Sequence, residues 1–205
     1  MLIALVGLGL QQAKADTFNF TSDHCSGGCG PQASFGTVTL TQVGSNVNVV
    51  VSLLNGNQWV QTGAGGNMYF LFDNAGITLA NITNIAMSGN PGGPTIAFMG
   101  QIHADGTGDW NWGIGCPTCP QGGTGAFGGS LTFTVTNTTL AAMETGHFVD
   151  GQGTELFVAD ILSGTTGRTG DVDVNTPMVP DGGATVMLLG VALGAMGMVR
   201  RYLTS

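Results

Sequence analysis

The sequence predicts an all-β fold: a single antiparallel domain of the β-sandwich or jelly-roll type, flanked by an N-terminal signal peptide and a C-terminal transmembrane helix. Three observations carry this. Apolar and polar residues alternate with a period of two over several short stretches. Glycine makes up 36 of the 205 residues, about 18% against a usual ~7%, and collects between those stretches. Charged residues are only 8% of the chain, against roughly a quarter in an ordinary soluble domain. The same figures exclude a helical bundle, which needs Ala, Glu, Lys and Leu at helical period, and an acidic disordered chain, which needs many charges.

The strands are read in order. Over residues 35–43, Val38 and Leu40 alternate with Thr37, Thr39 and Thr41; over 46–54, Val47, Val49, Val51 and Leu53 alternate with mostly polar neighbours. Gly44-Ser45 between them predicts a two-residue hairpin, with glycine in the first central position of a type II′ turn. Residues 67–73 are apolar on both faces, which predicts a central strand, and 96–103 form another. Leu131, Phe133 and Val135 alternate with Thr132, Thr134 and Thr136, and 156–162 is a final apolar strand. Residues 139–144 predict one helical turn capped by Thr138 or Thr139. Strand order is not readable.

Both ends differ in composition from this domain. Residues 1–15 read as a signal peptide: an apolar run from Leu2 to Leu10, a polar break at Gln11 and Gln12, then Ala13-Lys14-Ala15 as a small-x-small cleavage site before Asp16. Residues 16–178 are the predicted domain, and 179–205 the tail. The tail opens with Val179-Pro180-Asp181-Gly182-Gly183, continues as an uncharged apolar run over 184–199, and closes with Arg200-Arg201. Sixteen residues at ~1.5 Å rise give about 24 Å of helix, short of a ~30 Å hydrocarbon core but workable with local thinning and snorkelling arginines. Arg200 and Arg201 act as a basic membrane stop on the cytoplasmic side.

This order of motif, helix and arginines resembles the PEP-CTERM sorting signal of Gram-negative bacteria, in its Val-Pro-Asp variant. Asp181 stands where the family's usual motif has Glu, and Gly182 where it has its second Pro. The resemblance implies an exported substrate of an exosortase-like processing enzyme, handled by the export machinery, held in the inner membrane by its C-terminal helix before processing, then delivered to the cell surface or extracellular matrix. Extracellular polysaccharide is a further expected partner.

Composition and motifs limit what the domain does. Four basic residues in the chain leave no patch to neutralise phosphates, so nucleic acid is not an expected partner. Residues 16–180 hold eleven acidic residues against Arg168 alone, a net charge of −10. The cysteines form two close pairs, Cys25/Cys29 and Cys116/Cys119, which in an exported protein predict disulfides. Local bridges would each pin a glycine- or proline-rich loop, and cross-bridging would close a loop of about ninety residues. With His24 the cysteines would otherwise supply tetrahedral metal ligands, and Cys116-Pro117-Thr118-Cys119 alone has the spacing of a redox pair.

No nucleophile elbow or H-E-x-x-H is present, and His24, His103 and His147 lie in separate segments, so the expectation is a non-enzymatic protein with no catalytic residues, cofactor or resident metal. An enzyme would require His103 or His147 to meet a carboxylate in a pocket. The alternative function is a carbohydrate- or calcium-binding module. Trp59, Trp110 and Trp112 would stack on sugars if exposed, with Trp110 and Trp112 sharing a face if they lie on a strand. Asp105 to Asp109 and Asp171-Val172-Asp173-Val174-Asn175 would offer oxygen ligands to calcium, although neither matches an EF-hand loop and the second lacks its Gly at position six; otherwise they are solvated loop carboxylates. The threonine ladders add ice binding to these alternatives.

Overall fold

The structure, a computed structural model, describes residues 14–149 and 153–175. The signal run up to Ala13, the sorting motif Val179 to Gly183, the apolar run 184–199 and Arg200-Arg201 lie outside these residues. Along the chain the strands are β1 (Ala15–Phe20), β2 (Ser22–Asp23), β3 (Gly36–Val43), β4 (Asn46–Leu53), β5 (Gln58–Trp59) and β6 (Phe70–Phe72). There follow β7 (Ile82–Met87), β8 (Ile96–Ala104), β9 (Gly108–Gly115) and β10 (Ser130–Thr136). The last are β11 (His147–Val149), β12 (Gly153–Glu155), β13 (Phe157–Leu162) and β14 (Thr169–Val174), with one helical turn, α1 (Leu140–Met143), before β11. Among the described residues no helix is long and apolar enough to cross a membrane.

All strand pairs are antiparallel. One sheet runs β1-β3-β4-β10-β7; the other runs β2-β14-β13-β6-β9-β8, with β5 also on β13; β11 and β12 form a separate hairpin. The β3–β4 hairpin has the predicted turn, since Gly44 takes φ +60°, a value that glycine reaches without a Cβ clash, and Ser45 does not. Strand β6 is shorter than predicted but buried throughout and central, between β13 and β9. The cap of α1 is Thr139, whose hydroxyl accepts the Ala142 N–H at 3.2 Å.

The period-two pattern sends one face of each sheet into a shared core. Phe18, Val38, Leu40, Val49, Leu131 and Phe133 from the first sheet join Phe70, Phe72, Phe157, Ile161 and Val172 from the second in one buried cluster. Rings bridge the sheets directly: Phe18 lies 5.5 Å from Phe157, and Phe133 lies 6.0 Å from Phe70. The outer face of the first sheet is solvated and neutral. Its register aligns Thr17, Thr39, Val50 and Thr132 across four strands, with Thr41, Asn48 and Thr134 in an adjacent row. The two threonine ladders therefore lie on one face, separated by β4.

One alternative is excluded and two expectations are corrected. Trp59, Trp110 and Trp112 are all buried, at 0%, 0% and 3% exposure, so no sugar-stacking platform exists on them. Trp110 and Trp112, two apart on β9, enter different clusters. The reason is local: β8 carries a bulge between Met99 and Ile102, and beyond Trp112 the neighbouring backbone is replaced by the Asp73 carboxylate, which takes the Asn111 N–H at 2.9 Å. The run Asp171 to Val174 is not a solvated loop but strand β14, with Asp171 and Asp173 both at 0% exposure.

Candidate functional site

Chemistry collects on the outer face of the second sheet. Because Phe157, Ala159 and Ile161 of β13 and Val172 and Val174 of β14 fill the core, alternation turns Val158, Asp160, Asp171 and Asp173 the other way. There a second small cluster of Leu71, Ala104, Trp110 and Val158 is covered by Met68 and Ile102.

Asp160 and Asp171 stand opposite each other in the β13–β14 register. The Thr62 N–H and hydroxyl donate to one Asp160 oxygen at 2.5 and 2.7 Å, and its other oxygen is unbonded. Neither Asp171 oxygen makes a hydrogen bond; the Asp105 N–H that faces it is held by the Ala64 carbonyl at 2.7 Å. Burial pushes the Asp160 carboxyl up to about 7 and raises that of Asp171 well above its ordinary value, with neighbouring carboxylates adding to the rise.

Below this pair, Asp173 accepts from His24 Nε2 at 3.1 Å and lies beside the fully buried Glu155. Burial opposes charge on Asp173, but His24, Glu155 and Ser22 together hold its carboxyl below the usual range. Burial, reinforced by the neighbouring Asp173, pushes the Glu155 carboxyl up to about 9, so Glu155 is the one of the two that keeps its proton. Ser22 Oγ also approaches His24, at 3.4 Å, but on the same Nε2 that meets Asp173. A serine–histidine–aspartate relay uses opposite ring nitrogens, so this trio does not form one.

His147 meets Asp73 through Nδ1 at 2.6 Å and the Thr107 carbonyl through Nε2 at 2.8 Å, its ring edge-on to Trp110 at 4.4 Å. Both partners only accept, so both nitrogens carry protons and the ring is an imidazolium with no lone pair for base catalysis. The Asp73 bond, reinforced by the Thr107 carbonyl and the more distant Asp109 charge, outweighs burial and raises the pKa of His147 above its usual 6.5. The bridge is therefore fully stabilising below about pH 6.5 and lost as pH climbs through the raised value. H147Q is expected to lose about 1–3 kcal/mol at pH 6 and distinctly less at pH 9. Thermal unfolding of both proteins at the two pH values checks this, and an equal loss at each would refute the charged bridge.

His103 also meets a carboxylate, Asp109 at 2.9 Å, but in the open, with its side chain 69% exposed. Both histidines thus find the acid that an enzyme reading required, and neither contacts a hydroxyl or thiol nucleophile. The cysteines are bridged locally, Cys25–Cys29 and Cys116–Cys119, with Cα atoms 5.3 Å apart in each pair. In this state no thiolate is available to a metal, and the Cys116–Cys119 bridge is also the oxidised form that a redox pair would take. Among the described residues the one group of three ligand atoms within 4.8 Å is Asp23, Cys25 and Cys29, whose sulfurs are spent on each other. Of the predicted cleavage residues, Ala15 opens β1 and Asp16 is 3% exposed beside Lys14 at 3.1 Å.

Sequence reasoning overlooked Asp73, Glu155 and Asp160. The signal for Asp160 was available: one acid inside the otherwise apolar Phe157-Val-Ala-Asp-Ile-Leu162 has no solvent to reach.

Residues 178–203 match the VPDSG-CTERM motif, a sorting tail of the PEP-CTERM type. Asp181 is that variant's own residue, and Gly182 takes the place of its serine. No curated protein and no solved structure matches the chain.

Proposed function

We propose that this is an exported protein of the bacterial cell surface or extracellular matrix, without catalytic activity of its own, whose β-rich domain is delivered by a C-terminal signal that an exosortase-like enzyme processes. The observation that carries it is the sorting motif over residues 178–203. In this reading residues 1–15 are a signal peptide cut between Ala15 and Asp16, and 184–199 hold the chain in the inner membrane until processing, with Arg200 and Arg201 in the cytoplasm. The two sheets with one shared core are a β-sandwich serving as the displayed body. The doubly bonded His147 and the Ser22–His24–Asp173 trio, which meets on a single ring nitrogen, support a non-enzymatic role. The net charge of −10 over residues 16–180 and the neutral hydroxyl face of the first sheet suit a hydrated polysaccharide surrounding.

Intact mass of the protein recovered from the cell surface tests this. The expected species begins at Asp16, ends within 179–183, and gains four alkyl groups only after reduction. A surface form that still runs through Ser205, in cells with a working sorting enzyme, would refute processing.

A further inference from the structure

Among the described residues, counting cations against fully buried acids leaves two sites short: Glu155, which stays protonated beside Asp173, and the pair Asp160 and Asp171. Lys14, which the proposed cleavage would replace with the new amino terminus, lies on Asp16, Arg168 on the Gly27 carbonyl, His24 on Asp173 and His147 on Asp73. His103 bonds Asp109 and reaches Asp105 only at 4.0 Å on the solvent side. Among the described residues none of these cations serves Asp160 or Asp171, which sit at 1% and 0% exposure with three of their four oxygens unbonded.

Their surroundings are oxygen-rich and shaped by glycine. The chain over residues 62–66 crosses the pair so closely that a Cβ on Gly65 would lie 2.9 Å from Asp160 Cβ, 3.0 Å from Asp171 Oδ1 and 3.1 Å from the Met68 carbonyl oxygen. Asp105 follows on the next covering turn, its N–H tied to the Ala64 carbonyl and its side chain 68% exposed. Its negative charge acts on both buried carboxylates. The two segments that separately offered acids in the sequence, 105–109 and 171–175, are thereby brought to one place, together with Asp160.

We propose that this cluster is a divalent-cation site of calcium type, in which Asp160 and Asp171 are the buried ligands and Asp105 closes over the ion from the solvent side. The donors are hard oxygens, the set that calcium takes in preference to softer metals. A carboxylate with both oxygens unbonded at zero exposure requires either a proton or a cation, and an ion satisfies Asp171 and the free Asp160 oxygen together. The three carboxylates do not all lie within ligand distance of one another as placed, so binding requires the exposed Asp105 side chain to rotate inward. The third acid is what a shared proton would not need.

The test uses the full chain in detergent, stripped with EDTA, and follows thermal unfolding at pH 7.5 as calcium chloride is added. The midpoint is expected to rise by about 5–10 °C at a hundredfold excess over Kd, and EDTA to reverse it. D171N folds without the uncompensated charge, so its midpoint in EDTA is expected to be higher than that of the native protein, and its calcium response lost. D105N, altered at an exposed side chain, is expected to keep the full rise but to need several times more calcium. No rise in the native protein would overturn the site in favour of a shared proton, and an equal rise in native and D171N proteins would place calcium elsewhere and overturn it too.

Discussion

Replacing Phe70 by alanine is expected to remove about 3–5 kcal/mol of stability and to lower the unfolding midpoint by roughly 6–20 °C. Phe70 is fully buried on β6 and is one of the rings through which the two sheets meet. It stacks on Phe157 at 5.8 Å and on Phe72 at 6.0 Å within its own sheet, and touches Phe133 of the other at 6.0 Å. The hole left behind cannot collapse, because β6 is hydrogen-bonded to β13 on one side and β9 on the other. A loss of this size is a large share of the ~5–15 kcal/mol that typically holds a domain together. Phe148, 71% exposed on β11, is the control: its alanine variant is expected to stay within about 0.5 kcal/mol of the native protein. Equal losses from the two changes, measured by denaturant unfolding, would mean that the shared aromatic core does not carry the fold.

Deleting residues 178–205 is expected to abolish both retention and processing. The remaining chain keeps every described strand, since β14 ends at Val174, so it should fold and be released rather than degrade. Cell fractionation and immunoblotting then find it wholly in the periplasm or medium, against a membrane-held precursor and a shorter surface form for the native chain. Replacing Arg200 and Arg201 by alanine is the milder cut: the apolar run remains, but nothing charged stops it on the cytoplasmic side. A deletion that left the protein's distribution unchanged would strip the tail of its sorting role.

How much was legible follows from how local each signal is. The β3–β4 hairpin, β8, β10 and β13 were readable because each carries four or more residues of alternation or continuous apolar run, and the Gly44-Ser45 turn is specified by the two residues that make it. Strand β14 was missed because Asp-Val-Asp-Val has the right period but the wrong polarity; only the buried setting built by Met68, Ala104 and the 62–66 crossing makes an aspartate face an inward one. Strand β7 was hidden by its bulge, where Asn84 at φ +54° breaks the alternation between the partners of Thr132 and Thr134. The pairing of Asp160 with Asp171 depends on register between strands separated by a turn, and the arrival of Asp105 beside them on contacts across the whole chain. Neither has a signature in any short window. The sorting motif was fully legible because an enzyme reads it as sequence.

The position of β14 sets a timetable. It lies between β2 and β13, joining the start of the domain to its end within one sheet. The second sheet therefore stays incomplete until Val174 is free to pair, which on the proposed export route is when the end of the domain has emerged. Val179 follows only five residues later, a reach of at most about 18 Å when stretched. On the proposed route, closure of the sheet and arrival of the sorting motif at the membrane would be nearly simultaneous. An enzyme cutting at the motif works either on a chain still zipping its last ladder or within one domain radius of a finished surface, and lengthening the spacer after Val174 is the change that would separate the two events.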